Sequence, residues 1–323
     1  MKKQFSFLLL AILLSFFAMA LASCTEDGGI VTIKDGSAIL ASGSSGGGAE
    51  NEHTTAEEDP GAPPRDTTPF VPENVADGLS AASARGATVD YSHAADGYIM
   101  VRYDGESPRV KLQINKDGEA ETYTYTIFPG EGYRAYPLSQ GAGAYTARVF
   151  LLKEGKRYGL AVEARVDAAI ADEFAPFLRP NHFADYAAQT EAVALAAGLA
   201  EGPKSDQQVI DGVFAYVTGN IRYDYEKAET VEAGYRPSVD ETLASGEGIC
   251  FDYASLMTCM LRSQRIPCKL VVGYADETYH AWVSVYTPEA GWVLMDPTFA
   301  AGGNSADPAL VGSGKNYAPL YYY

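Results

Sequence analysis

The sequence predicts an α+β protein, with helices packed on an antiparallel sheet and a β-sandwich preceding them. Three observations predict this. Between residues 87 and 168, short runs that alternate or stay apolar recur about every ten residues, separated by Gly, Asp and Pro. From about 180 to 262, apolar residues recur instead at three- and four-residue steps, the helical period. After Pro267 strand-like runs return and continue to Asp296.

The chain opens with Lys2 and Lys3, an apolar run from Phe7 to Leu21, and then Ala22, Ser23 and Cys24. A charged start, an apolar middle and small residues at a junction are the parts of an export signal. The run is short for a permanent membrane span. Leu21-Ala-Ser-Cys24 resembles the bacterial lipobox, which implies that 1–23 is a lipoprotein signal peptide and that Cys24 is acylated. The protein is then exported and lipid-anchored to the cell membrane or envelope surface. An ordinary signal peptide or an uncleaved anchor is the alternative.

From 24 to 84 the composition shifts to Gly, Ser, Ala, Pro, Asp and Glu. Such a segment buries too little apolar surface to offset its ordering entropy, so a disordered acidic tether is expected. Residues 25–84 hold eleven Asp and Glu against Lys34 and Arg65, about half of the chain's net charge of −18. The acidity therefore belongs largely to the tether and argues against nucleic acid as a partner. Sixty flexible residues reach roughly 40 Å, enough to hold domains clear of a lipid surface.

Residues 85–170 form the expected sandwich. Tyr98 to Tyr103, Val110 to Ile114, Thr122 to Ile127, Tyr145 to Leu151 and Tyr158 to Val166 are strand-like. Their number and turn spacing match a sandwich of immunoglobulin-like size. Its expected role is that of a spacer or docking module.

Residues 171–323 form the remaining unit. Pro180-Asn181 is expected to open an Ala-rich helix running to about Ala200. Ser205 and Gln208 have capping-box spacing and open a second helix, with Val209, Val213, Phe214, Val217 and Ile221 on one side. A third helix starts at Cys250, after Gly246 and Gly248, and closes before Ile266-Pro267. Lys269 to Tyr274, Tyr279 to Tyr286 and Trp292 to Asp296 are three strands, the last two joined across Thr287–Gly291.

Those elements place three chemical groups. Cys250 stands at a helix N-terminus, where unpaired N–H groups and the macrodipole favour an anion, the reactive form of a thiol. Folding the hairpin about its turn brings His280 close to Asp296, within diagonal cross-strand reach. A nucleophile, a base and an orienting carboxylate in that arrangement are the parts of thiol catalysis. Tyr223 and Tyr225 are candidates for an oxyanion donor beside the Cys250 backbone N–H, with ordinary core packing as the alternative. Cys259 falls about 180° round the helix from Cys250. Cys259 and Cys268 are expected as buried free thiols, with a disulfide as the alternative. No His, Cys or carboxylate cluster has zinc spacing, so neither metal nor cofactor is expected.

The segment from about Tyr235 to Thr298 resembles the transglutaminase-like core, a branch of the papain-type thiol enzymes. The resemblance lies in Gly248-Ile-Cys-Phe-Asp-Tyr-Ala254, Arg265-Ile-Pro267, Val271-Val-Gly-Tyr274, His280-Ala-Trp282 and Trp292-Val-Leu-Met-Asp-Pro-Thr298. It implies a papain-like fold and a Cys250, His280, Asp296 triad that forms a thioester acyl-enzyme with a peptide or protein substrate, including one of the cell envelope. Three functions fit: an amide-cleaving or acyl-transferring thiol enzyme, a cross-linking transglutaminase proper, and a non-catalytic surface binding module that retained the fold. The short tail after Asp296 is expected to add little to the site.

Overall fold

The computed structural model describes residues 31–34, 37–40, 64–202, 204–304 and 315–323, the first two stretches as backbone only. Cys24 and the expected signal peptide lie outside the described residues. Strands β1 (Val31–Lys34) and β2 (Ser37–Leu40) come first. They are followed by β3 (Ala81–Ala84), β4 (Ala87–Asp90), β5 (Tyr98–Tyr103), β6 (Val110–Lys116) and β7 (Thr122–Ile127). Then come β8 (Arg134–Pro137), β9 (Gly143–Glu154) and β10 (Arg157–Ala168).

Strands β3 to β10 make two four-stranded antiparallel sheets, ordered β3-β4-β5-β8 and β10-β9-β6-β7. Alternation does the work expected of it: Val110, Leu112 and Ile114 are buried, while Lys111, Gln113 and Asn115 between them are not. Val89 and Val101 of one sheet and Val110 and Leu112 of the other are essentially inaccessible and belong to one hydrophobic core.

The helical part holds α1 (Glu191–Leu199), α2 (Asp206–Asn220), α3 (Tyr225–Thr230), α4 (Val239–Ser245) and α5 (Cys250–Arg262). Two-residue strands β11 (Arg222–Tyr223) and β12 (Glu247–Gly248) pair in parallel just before α5. The expected capping box on α2 is present, with Gln208 N–H donating to Ser205 Oγ at 3.2 Å and Ser205 N–H to Gln208 Oε1 at 2.8 Å. The helix expected from Pro180 starts later. Asn181 Oδ1 instead accepts from the Phe183 and Ala184 N–H groups, and this side-chain turn competes with helix, so that α1 begins only after Thr190.

Beneath α5 lies an antiparallel sheet ordered β16-β13-β14-β15-β1-β2, with β13 (Cys268–Ala275), β14 (Thr278–Thr287), β15 (Gly291–Met295) and β16 (Tyr317–Tyr322). Helix α5 is almost wholly buried, and its last residue, Arg262, is 0% exposed. The Arg262 guanidinium donates to the carbonyls of Arg179, Cys268 and Tyr323, which ties the helix to the edge of the sheet. Among the described residues no helix is long and apolar enough to cross a membrane.

Part of the expected tether behaves otherwise. Residues 64–84 lie on the folded body: Arg65 pairs with Asp206, Phe70 N–H donates to the Ser263 carbonyl at 2.8 Å, and Asn74 Nδ2 donates to the Pro180 carbonyl at 2.9 Å. Averaged composition concealed the reason, a local Pro-Phe-Val-Pro run whose Val71 packs on the core. Strands β1 and β2 also fall within 24–84, and β1 pairs with β15 through Thr32 and Val293.

Candidate active site

Helix α5 begins at Cys250 because the residues before it cannot stay helical. Gly246 ends α4 at φ +65°, and β12 holds Gly248 beside Tyr223. A Cβ at Gly248 would lie 2.7 Å from the Asp252 Cβ, so only glycine fits this entry. Asp252, in the first turn, is 0% exposed and receives three donors: Ile249 N–H at 2.9 Å, Lys227 Nζ at 2.8 Å and the Tyr235 hydroxyl at 2.5 Å. That carboxylate fixes the turn that carries Cys250. The thiol itself is only partly buried.

The hairpin supplies the other two groups. Val283 opposes Met295 and Thr287 opposes Gly291. One further step along that register sets Asp296 across from Trp282 and puts His280 on the diagonal. His280 Nε2 lies 2.8 Å from Asp296 Oδ2. The carboxylate is 1% exposed, and its Oδ1 accepts the Phe299 N–H at 3.0 Å as cap of the short helix α6 (Pro297–Phe299).

Cys250 lines the same cavity as His280, and the thiol is among the groups that raise the imidazole's pKa. With Nε2 engaged by Asp296, Nδ1 is the ring nitrogen left for the thiol. Burial opposes a charged ring, but the Asp296 hydrogen bond and the influence of the Asp296 and Cys250 charges outweigh it and push His280 up to about 10. Burial likewise opposes the Asp296 carboxylate, yet His280, the Phe299 N–H and Tyr317 together hold it below the usual range. An imidazolium kept charged beside a carboxylate is a proton donor poised for a leaving group.

Cys250 and His280 line a cavity of about 630 Å³. Residues 193–297 match the model of the Transglutaminase-like superfamily, and Cys250, His280 and Asp296 all fall inside that span. Residues 193–297 form a transglutaminase-like core.

Over 104 residues the chain is 32% identical to YebA, an uncharacterized protein of Bacillus subtilis, a stretch covering 26% of this chain and 13% of that protein. Over 66 residues it is 35% identical to a protein-glutamine gamma-glutamyltransferase of Pseudomonas aeruginosa, covering 16% of this chain and 10% of that one. The chain thus spans about a tenth of the length of these relatives. Among solved structures, the periplasmic domain of TgpA from Pseudomonas aeruginosa superposes with a TM-score of 0.33 at 19% identity, covering 72% of this chain and 98% of that one. Red sea bream transglutaminase does so with a TM-score of 0.28 at 13% identity, covering 62% and 48%. Superpositions this loose carry no weight beside the family match.

The transglutaminase-like core treats the two tyrosine candidates differently. Tyr223 lines the cavity, and burial followed by the Cys250 charge pushes its hydroxyl up to about 12. Tyr225 does not reach the cavity lining. It is 76% exposed and packs edge-on against Tyr223 at 5.0 Å, because it starts α3 on the solvent side. Cys259 and Cys268 are buried free thiols, and among the described residues no group of three or more metal-ligating side chains occurs.

The tail contributes more than expected. Tyr317 is mostly buried and its hydroxyl donates to Asp296 Oδ2 at 2.7 Å, while Tyr323 lines the cavity beside Cys250. Sequence reasoning missed Tyr317 and Asp252. The aromatic run from Tyr317 to Tyr323 carries a strand signal that could have revealed β16. The Asp252 partners Lys227 and Tyr235 carry no such signal.

Proposed function

We propose that the transglutaminase-like core is a cysteine-nucleophile enzyme acting on amide bonds of peptides or proteins. The observation that carries this reading is His280, 2.8 Å from Asp296 and lining the same cavity as the Cys250 thiol. In the reaction the Cys250 sulfur attacks the amide carbonyl carbon, and the carbonyl oxygen takes up the negative charge. In this reading the Cys250 backbone N–H, in the helix's first turn without an intrahelical acceptor, and the Tyr223 hydroxyl, which lines the same cavity, stabilise that oxygen. His280 then gives its proton to the leaving amine as the carbon–nitrogen bond breaks, and a thioester remains on Cys250. Water or an amine, deprotonated by the now neutral His280, attacks the thioester and restores the thiol.

Family membership of the core and the match to a protein-glutamine gamma-glutamyltransferase support a thiol-dependent acyl chemistry. The order of the two N-terminal sheets supports the immunoglobulin-like reading of the sandwich. The Lys2 to Cys24 pattern supports export and lipid anchoring.

The test is direct. Protein incubated with activated peptide esters is quenched in acid and mapped by mass spectrometry. An acyl adduct on Cys250, absent from Cys250→Ala, is the expected result. If no ester leaves an adduct and Cys250 is alkylated no faster than in the unfolded chain, the enzymatic reading fails and a binding module replaces it.

A further inference from the structure

The sandwich supplies one wall of the cavity that holds Cys250. Lys111 and Thr126 oppose each other across the β6–β7 pair, Thr124 lies two residues along, and all three line the cavity. They belong to the outward half of the alternating pattern, whose inward half fills the core. The loop between α3 and α4 closes this wall. Gly234, at φ +96°, comes so near β7 that a Cβ there would lie 2.5 Å from Thr126 Oγ1.

Lys111 is the cation this wall presents. Its Nζ donates to Thr126 Oγ1 at 3.0 Å, and among the described residues it joins no ion pair. Neighbouring cations are committed elsewhere, Lys227 to Asp252 at 2.8 Å and Arg236 to Glu131 at 2.6 Å. Glu232 also lines the cavity without pairing with Lys111, and much of the remaining lining is aromatic or apolar, with Phe183, Tyr223, Phe251 and Tyr323. An ammonium has three donors, and Thr126 uses one. Against walls of low polarity, the remaining charge attracts a carboxylate more strongly than it would in open water.

We infer that Lys111 determines specificity at this site by receiving a carboxylate of the acyl-donor peptide, so that the substrate class is an acidic peptide. The Thr124 and Thr126 hydroxyls are the adjoining donors. The inference rests on Cys250 being the nucleophile, and it makes the sandwich part of the substrate site.

The experiment uses thiol-directed probes that differ in one charge, iodoacetyl-glycyl-glutamate amide and iodoacetyl-glycyl-glutamine amide, together with the pair one glycine longer. Cys250 displaces iodide from each to form a thioether, and the rates are read by peptide mass mapping at low salt. The acidic probe should react about five- to tenfold faster than its neutral twin for at least one length. The ratio should fall to about one in Lys111→Gln and below one in Lys111→Glu. Lys156→Gln, at the β9–β10 turn, should keep the native ratio. A native ratio near one at both lengths, or a preference that survives Lys111→Gln, overturns the inference. Plain iodoacetamide reports on the nucleophile separately: a sluggish Cys250 sinks the enzymatic reading, while the acid-to-neutral ratio still reports on Lys111.

Discussion

Tyr317 and His280 meet on one oxygen of Asp296, the tyrosine hydroxyl at 2.7 Å and the imidazole Nε2 at 2.8 Å. The Phe299 N–H takes the other oxygen. A carboxylate so buried stays ionised because it has donors on both oxygens, and Tyr317 is the one supplied by the edge strand β16.

Tyr317→Phe should therefore cost about 1.5–3 kcal/mol of stability, the range for a hydrogen bond to a charged group. Asp296 is depressed in the folded state, so its contribution is present above the unfolded value and is lost as pH falls through the folded one. Losing the Tyr317 donor lessens the depression. Acid unfolding followed by circular dichroism should begin at higher pH in the variant, and an unchanged acid midpoint would count against this role.

His280 carries the alkaline side. Its folded pKa of about 10 lies above the unfolded value, so its contribution to stability is complete below about 6.5 and is lost as pH rises through about 10. Asp296→Asn removes the partner that holds the ring charged. Cys250 alkylation at neutral pH should slow by up to about 30-fold, the limit set by the few per cent of thiolate in an ordinary thiol at pH 7. Alkylation profiles that superpose for the two proteins would contradict the geometry.

Thiol labelling should be selective. Burial raises Cys259, and burial pushes Cys268 up to about 11, whereas Cys250 opens on the cavity. In the native protein at pH 7, iodoacetamide should modify Cys250 and spare the other two until urea unfolds the chain. Equal labelling of all three before unfolding would show that burial does not protect them.

Gly273 of β13 lies opposite His280 on one side and pairs with Pro319 of β16 on the other, next to a register shift. A Cβ there would come within 2.2 Å of the Ala318 carbonyl and 2.8 Å of Pro319 Cα, both backbone atoms that cannot swing aside. Gly273→Ala should push β16 away, destabilise the protein by about 1–3 kcal/mol and lower Cys250 reactivity along with it. Urea midpoints and alkylation rates check this, and a variant as stable and reactive as the native protein would refute it.

Lys227→Met tests the anchor of the nucleophile turn. Asp252 is fully buried, so removing its ammonium partner should cost about 1–3 kcal/mol, less than for a wholly buried pair because Lys227 is partly solvated. The urea midpoint measures it, and a loss within experimental error would mean that Tyr235 and the Ile249 N–H suffice.

Proximity of His280 to Asp296 was legible because both sit on one hairpin whose turn, Thr287 to Gly291, leaves only a few residues of register in doubt. The start of α5 was legible from Gly246, Gly248 and the helical period after Cys250. Tyr225 was misplaced for a related reason: it neighbours Tyr223 in sequence, but it is the first residue of α3 and its ring turns to solvent. The packing of 64–84 was obscured by averaging, since a handful of apolar and proline residues among acidic and small ones settles where that segment lies.

By itself, the sequence determined what short-range physics governs: strand and helix periods, the cap of α2, the glycine entry to Cys250 and the hairpin that pairs His280 with Asp296. Tertiary structure decided what depends on contacts between distant segments. Tyr317 reaches Asp296 only because β16 pairs with β13, and Lys111 reaches the cavity only because the sandwich abuts the core. Those placements come from burying apolar faces against one another, and a charged or hydroxyl side chain carried on the outward half of a strand leaves no mark in the local pattern of where it will end up.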